Sequence, residues 1–174
     1  MAVKPIITIP NETLRNKTGK VKKIDEEITK IAQDLVDTVK VARDPEGAGL
    51  AATQIGVSKR ICVVRNFFTD PVDPKKILTE EIVLINPKIT SPSKETEVDW
   101  EGCLSVPDEY GKVERFKKIK VTATALDGND IKFKASDFLA RTIQHEVDHL
   151  DGILFTDRVI GKTITGEELD KVIQ

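Results

Sequence analysis

The chain has 174 residues, 39% of them hydrophobic, which is enough for one substantial buried core and does not require a second domain. Its 27 basic and 29 acidic residues are mixed along the sequence and give a formal net charge of −2, so no charge run indicates nucleic-acid or anionic-membrane binding. No apolar run approaches the roughly 18–20 residues of a membrane-spanning helix, and no secretory leader is recognisable. The two cysteines do not suggest the disulfide framework of a secreted protein. We therefore expect one cytoplasmic domain over residues 1–174.

Periodicity predicts a helix followed by several strands. Residues 24–41 repeat apolar side chains at three- and four-residue steps, the pattern of an amphipathic helix. In residues 43–56, Pro45, Gly47, Gly49 and Gly56 interrupt the helical period, and this segment of small residues is predicted to form a loop. Strand-like runs follow at 60–67, 81–89, 95–106 and 118–128, and the last leads over a DGND turn into another strand.

A second helix is predicted over residues 137–150, with Ser136 as its N-cap. Its apolar residues should face the sheet; they are Phe138, Leu139, Ile143, Val147 and Leu150. A helix, several strands and a second helix together predict an α+β domain.

The only two histidines of the chain lie on this second helix. His145 and His149 are four residues apart, with Glu146 directly after the first. Residues at this spacing share one helix face, so both imidazoles can point at one metal ion. The alternative is a pair of ordinary surface or core histidines, which would have this spacing by coincidence.

A catalytic metal site usually has three protein ligands and one open position. The candidate for the third ligand is Cys103, in EGCLSVP at the end of a predicted strand, because a thiolate binds borderline divalent ions strongly. The alternative is an inert buried thiol, which is how we interpret Cys62 among its aliphatic neighbours. Acids after His149 are further candidates, although none lies in a recognisable ligand motif.

The segment GAGLAATQIG at 47–56 carries one long polar side chain, Gln54. An uncharged amide can donate a hydrogen bond to a developing oxyanion without competing for the metal. The alternative role for Gln54 is a solvent-facing helix residue. The segment lacks the ending of a phosphate-binding loop.

In this order and at these separations, GAGLAATQIG, EGCLSVP and QHEVDHLDG resemble the three signature motifs of the peptide deformylases. The similarity continues through IPNETLRNKTGKV, GVSKRICVV and LINPKI, and so spans nearly the whole chain to about Arg158. Arg141 and Thr142 stand where some members carry apolar residues. The resemblance implies an α+β fold with short, mostly antiparallel strands around a central metal-binding helix.

The resemblance also implies roles for individual residues. It assigns the metal to Cys103, His145 and His149 and proton transfer to Glu146, the four residues already selected by their chemistry. The oxyanion donors would be Gln54 and the backbone N–H of Leu104. The backbone that would pair with an extended peptide substrate belongs to Gly47, Ala48, Gly49 and Leu50.

The metal implied by the resemblance is ferrous iron, with Zn²⁺, Ni²⁺ or Co²⁺ as substitutes, whereas a Cys-His-His site taken alone would suggest zinc. The implied enzyme is a hydrolase that removes the formyl group from the N-terminal N-formylmethionine of newly synthesised polypeptides and releases formate. Its partners would be nascent chains near the ribosome; the sequence itself makes no direct nucleic-acid binding evident, and we expect no membrane binding. Glu101 and Asp148 are the nearest carboxylates that could orient the imidazoles, with surface salt bridges as the alternative.

Two other functions remain open at this stage. A zincin-like endopeptidase would need a third ligand downstream and would leave Cys103 unused. A non-catalytic module that binds metal or nascent chains would have no use for Glu146 beside an open coordination position.

Overall fold

In the described part of the chain, the fold has two antiparallel sheets and three α-helices. The computed structural model describes residues 2–43 and 46–173, so Asp44 and Pro45 of the predicted loop lie outside it. The strands are β1 (Gly49–Ala51), β2 (Ile61–Thr69), β3 (Ile77–Pro92), β4 (Thr96–Cys103), β5 (Val106–Phe116), β6 (Lys118–Thr124) and β7 (Asp130–Ser136). The helices are α1 (Glu26–Val41), α2 (Asp137–Leu150) and α3 (Gly166–Ile173), with short 3-10 helices at Glu12–Arg15, Ala52–Ile55 and Phe155–Asp157. The predicted α+β class is confirmed.

The larger sheet has the strand order β1-β2-β3-β6-β7, and β4 and β5 pair separately. Every strand pairing within the two sheets is antiparallel. Leu84 and Val121 point to one face of the larger sheet and pack against Ile143 and Leu150 of α2. The helix that carries both histidines therefore lies directly on the sheet.

Helix α1 covers part of the opposite face. Asp25 caps its N-terminus by accepting a hydrogen bond from the Ile28 backbone N–H at 3.1 Å. Its apolar face packs against β2 and β3; the buried helix residues are Ile28, Ile31, Leu35 and Val39, and the strand residues include Val63 and Ile85. The amphipathic helix predicted over residues 24–41 is confirmed.

Helix α2 agrees with the predicted span but differs in two details. Ser136 occupies the N-cap position, yet its side chain makes no capping hydrogen bond. Phe138 is 56% exposed rather than buried; it lies in the first turn of the helix, where its ring is 6.1 Å from that of Phe67 on β2. Ile143 and Leu150 are buried as predicted.

The strands correct the sequence analysis in three places. The predicted loop 43–56 contains β1 and a 3-10 helix in its described part, and the predicted strand 95–106 is interrupted at Leu104 and Ser105. Strand β5 was not predicted. Its buried positions include Gly111 and Arg115 as well as valines, so apolar alternation is absent from the sequence.

None of the helices within residues 2–43 and 46–173 combines the length and the apolar character needed to cross a membrane.

Candidate metal centre

Two elements that are distant in sequence bring three potential metal ligands together. Helix α2 presents His145 and His149 on one face, and Cys103 is the last residue of β4. The Cys103 Sγ lies 3.2 Å from the His149 Nε2, and the His145 Nε2 lies 3.2 Å from that same nitrogen. These three atoms form a cluster that could hold a metal ion.

The geometry and protonation of the cluster fit a divalent ion. Bonds of about 2.0–2.1 Å to nitrogen and about 2.3 Å to sulfur would separate tetrahedral donors by about 3.4–3.6 Å, close to the observed distances. The Nδ1 of His145 lies 3.0 Å from the Glu101 carboxylate, an arrangement that keeps a proton on Nδ1 and leaves the Nε2 lone pair for a metal. A thiol with two imidazoles suits iron, zinc and related borderline ions.

Electrostatics distinguish the two histidines. Burial acts to lower the pKa of His145, but its hydrogen bonds to Cys103 and Glu101 outweigh that effect and raise its pKa well above the ordinary value. Burial and the positive charge of His145 hold the pKa of His149 well below the ordinary value. Metal binding requires an unprotonated Nε2 on each imidazole.

Glu101 is a buried anion beside the ligand His145. Burial acts to raise its pKa, but hydrogen bonds and charge from His145 and Arg115 hold the pKa of this carboxyl well below its usual range. Arg115 donates two hydrogen bonds of 2.9 Å to the two oxygens of Glu101. The carboxylate therefore remains charged and fixes the orientation of the imidazole.

Behind Glu101 the ion pairs continue into a network. Arg115 also donates to Asp148, and Arg158 donates to both oxygens of Asp148 at 2.6 and 2.7 Å. Arg141 donates to Glu101 at 2.8 Å. Among the hydrogen bonds of the described residues, Asp148 contacts arginines and no imidazole, so of the two predicted orienting carboxylates only Glu101 touches a histidine.

Glu146 lies in the same site and is almost fully buried, with 3% of its surface exposed. Within the part of the chain that the structure describes, its Oε2 has no hydrogen-bond partner. Burial is the main cause that raises the pKa of Glu146 to about 7. The carboxylate lies against Gly49 of β1, where an added Cβ would be 2.5 Å from Oε1.

Gln54 is 2% exposed, which excludes the alternative of a solvent-facing residue. Its Oε1 accepts a hydrogen bond of 2.8 Å from the Ala51 backbone N–H. This bond points the amide nitrogen toward the cluster, where it donates to the Ser105 Oγ at 3.2 Å and lies 3.6 Å from the Cys103 Sγ. The side chain is thus a positioned donor beside the thiol.

A cavity of about 170 Å³ opens over these residues. Residues 46–49 form one wall, residues 100–104 form the opposite wall, and α2 and Gln54 complete the lining. The predicted site residues that line it are Gly47, Ala48, Gly49, Gln54, Cys103, Leu104, His145 and Glu146. His149 and Leu50 are not in the lining and are almost fully buried beneath it.

Several residues of the site were not selected from the sequence. Arg115 holds Glu101, but an arginine in an unpredicted strand carries no local signal for such a role. Trp100 lines the cavity, and its position directly before EGCLSVP was the available clue. Arg141 and Thr142, noted only as departures from the family pattern, also line the cavity.

Comparison with known proteins identifies a family for the chain. A family described as polypeptide deformylase matches residues 3–164. The chain is 47% identical over 161 residues to a peptide deformylase of Thermomicrobium roseum, covering 91% of this chain and 87% of the relative. It is 46% identical over 158 residues to a peptide deformylase of Desulforudis audaxviator, covering 91% and 94%.

Solved structures give the same result. A class I type b peptide deformylase from Acinetobacter baumannii, solved with Met-Ala-Ser bound, has a TM-score of 0.79 and 34% identity, covering 91% of this chain and 99% of that one. A peptide deformylase from Thermotoga maritima has a TM-score of 0.79 and 33% identity, covering 92% and 100%.

Proposed function

The chain belongs to the polypeptide deformylase family, and we propose that the cluster on α2 and β4 is the centre at which its reaction takes place. The protein is a metal-dependent hydrolase that removes the formyl group from the N-terminal N-formylmethionine of newly synthesised polypeptides and releases formate. The observation that carries the proposed site is the convergence of one thiol and two imidazole nitrogens beside a buried carboxylate. The proposed catalytic domain spans residues 1–174.

The proposed ligands are Cys103, His145 and His149. When bound, the ion polarises the formyl carbonyl and makes a water molecule acidic enough to attack near neutral pH. Ferrous iron is the proposed ion, with Zn²⁺, Ni²⁺ or Co²⁺ as substitutes, because a thiolate with two imidazoles accepts all of these ions. Glu101 holds His145 in the tautomer that binds metal.

Glu146 is the proposed acid and base. Its Oε2, buried and without a partner among the described residues, accepts the proton of the attacking water. The same oxygen then donates this proton to the leaving nitrogen as the bond from the formyl carbon to that nitrogen breaks. The pKa of about 7 lets the carboxyl perform both transfers at neutral pH.

Gln54 and the backbone N–H of Leu104 are the proposed donors to the oxyanion that forms on the formyl oxygen. The amide nitrogen of Gln54 is already directed toward the thiol by the bond between its Oε1 and Ala51. A donor that is fixed before the reaction needs no reorganisation as charge develops. Loss of one such donor costs on the order of 3–4 kcal/mol of barrier.

The substrate is proposed to bind as an extended strand along Gly47, Ala48, Gly49 and Leu50. Among the strands of residues 2–43 and 46–173, β1 is at the edge of the larger sheet and pairs only with β2. An edge strand offers backbone groups to an added peptide strand. The proposed setting is the cytoplasm, where nascent chains leave the ribosome.

The two alternatives fit the site less well. A zincin-like endopeptidase would leave Cys103 unused, whereas its sulfur lies 3.2 Å from the His149 Nε2. A purely structural metal site would be closed, whereas Cys103 and His145 of this cluster line a cavity that Glu146 also lines.

The test is metal analysis of anaerobically purified protein combined with formate release from a formyl-methionyl peptide. The matched control substrate is the same peptide with an acetyl group in place of the formyl group. We expect one divalent ion per chain, predominantly iron, and rapid release of formate with little release of acetate. Metal-loaded protein that releases no formate would contradict the proposed site, and activity that survives alkylation of Cys103 would favour the peptidase.

A further inference from the structure

One half of the outer face of the larger sheet is bare and strongly positive. Ile85 of β3 packs against α1 and is paired with Thr124 of β6. Paired residues point to the same face of a sheet, so Thr124 and the alternate residues of β6 face the side on which α1 lies, called here the outward side. Helix α1 covers the part of this face that β1, β2 and the first half of β3 form. The remainder, formed by β6, β7 and the end of β3, carries five exposed lysines: Lys88, Lys118, Lys120, Lys132 and Lys134.

The strand register places these five residues, named here the lysine face, side by side. Lys120 of β6 is directly opposite Lys134 of β7. Thr122 of β6 lies between two lysines, with Lys88 of β3 opposite it on one side and Lys132 of β7 on the other. Opposite side chains in a sheet have Cβ atoms about 4.5–5.5 Å apart, and alternate residues of one strand are about 6.5–6.8 Å apart. The ammonium groups therefore form a compact two-dimensional array.

No carboxylate neutralises the array. Within the described residues, none of the five ammonium groups has an acidic partner within 4.0 Å, although the chain has more acids than bases. Asp130, at the start of β7, is the only acid at the outward positions of these strand segments. Like charges directly opposite in a sheet destabilise it, so the pairing of Lys120 with Lys134 has a cost without a local benefit.

Protection of a sheet edge explains only part of the array. Lysines on an edge strand prevent unwanted pairing with other chains, and this accounts for Lys132 and Lys134 on β7. Lys118 and Lys120 lie on β6, which is paired on both sides, whereas Lys88 lies near the end of β3, past its pairing with β2, and is paired with β6 alone among the described strands. Edge protection therefore leaves Lys118 and Lys120 unexplained, and a function for these two residues has to come from what they attract.

We propose that the lysine face binds the phosphate backbone of double-helical RNA without reading its sequence. The outward positions around the lysines carry hydroxyl groups, among them Ser91, Thr122 and Ser136, and lysine and hydroxyl side chains are typical phosphate contacts. The face has no outward arginine, asparagine or glutamine to recognise base edges and no aromatic ring to stack on unpaired bases.

The same composition disfavours other partners. A bilayer would be bound more firmly with apolar side chains, and a protein partner with aromatic or arginine anchors, and the outward positions provide neither. The choice of RNA over DNA rests on the proposed function, because newly made chains are met at the ribosome, whose surface is largely RNA.

Binding through this face leaves the metal centre accessible. The inward residues of β6, among them Val121 and Ala123, pack against α2, so the lysines point away from the helix that carries the histidines. None of the five lysines lines the cavity above the cluster. RNA on one side and a nascent chain on the other can therefore be bound together.

The test measures binding of the full chain to a labelled RNA duplex of about two helical turns, by fluorescence anisotropy at several salt concentrations. Five phosphate contacts predict a slope of roughly −4 to −5 for the logarithm of the binding constant against that of the salt concentration. The variant combines Lys118→Gln, Lys120→Gln and Lys134→Gln. The matched control combines Lys75→Gln, Lys76→Gln and Lys162→Gln, which are exposed, outside the lysine face and without an ion pair in the described structure.

The variant should bind RNA at least about tenfold more weakly and reduce the salt slope by about 3, while the control stays within about twofold of the parent. Equal losses in both variants would show that overall charge, and not this face, attracts RNA. No binding at about 50 mM salt, or stronger binding to vesicles of anionic lipid than to RNA, would also overturn the proposal.

Formate release from a short formyl-methionyl peptide separates this proposal from the proposed function. Both lysine variants should retain parental activity, since neither alters the cavity. If the parent protein binds the duplex but releases no formate, the proposed site is contradicted and RNA binding stands. If the parent protein releases formate but does not bind the duplex, RNA binding is contradicted and the proposed site stands.

Discussion

Gly49 leaves the space that the carboxylate of Glu146 occupies. A Cβ built on Gly49 would lie 2.5 Å from Oε1 and 2.8 Å from the Cδ of Glu146, closer than real side chains approach. The first motif of the sequence therefore determines where the proposed catalytic group of the third motif can lie.

Gly49→Ala should displace Glu146 and lower kcat/KM by about 10²-fold, because a shift of about 1 Å at a reacting group has an effect of that size. Metal content should remain parental, since the three atoms nearest to a Cβ at Gly49 all belong to Glu146 and not to a proposed ligand. The measurement is steady-state formate release alongside metal analysis. Gly19→Ala is the matched control, because the Cβ built there has no neighbour closer than 4.0 Å and its activity should not change.

Glu146→Gln should keep the metal and the fold but lower kcat by about 10²–10⁴-fold, because the amide preserves shape and cannot carry the proton. Single-turnover formate release with a metal assay checks this. The control Glu95→Gln, at an exposed position outside the site, should change neither formate release nor metal content. Near-parental turnover in Glu146→Gln with full metal would show that another group transfers the proton.

Cys103→Ser should weaken metal binding and change which ion is retained, since a hydroxyl is a harder and far less acidic ligand than a thiol. Competition between iron and zinc, followed by elemental analysis, measures the change. Cys62→Ala removes the other thiol, which is fully buried in β2, and should lower stability without altering metal selectivity. If Cys103→Ser retained the parental metal content and preference, Cys103 would not be a ligand.

Exposure to air should oxidise Cys103 and spare Cys62. Cys103 lines the cavity beside the proposed iron, whereas Cys62 has no exposed surface and burial raises its thiol pKa well above the ordinary value. Oxidation to sulfinic and sulfonic acid follows thiolate character and access. Mass spectrometry of both cysteine peptides during aerobic loss of activity tests this, and equal oxidation of the two would argue against an exposed iron–thiolate centre.

Arg115→Met should lower the free energy of unfolding by about 3 kcal/mol, because it removes the partner of two buried carboxylates. This loss of stability is at the lower end of the range for breaking a buried ion pair, because Arg141 still contacts Glu101 and Arg158 still contacts Asp148. Denaturant unfolding at neutral pH is the measurement. The control Lys171→Met breaks an exposed pair with Glu167 and should change stability by less than about 1 kcal/mol.

The sequence by itself determined the features that depend on neighbours along the chain. Apolar spacing located α1, alternation located the hairpin of β6 and β7, and the four-residue separation of the histidines placed them on one face of α2. These patterns are local, since a helix or strand presents the same face whatever surrounds it. Burial does not follow from such spacing alone, and for that reason Phe138 was assigned to the core although it is 56% exposed.

Tertiary structure alone decided which distant residues meet. The contact of Cys103 with His149 bridges 46 positions, and that of Arg115 with Asp148 bridges 33. Strand β5 was missed because its inward positions hold a glycine and an arginine whose partners come from other elements. The lysine face could not be predicted from the sequence for the same reason. Its charges are dispersed along the chain, and the antiparallel register of β3, β6 and β7 places them on one surface.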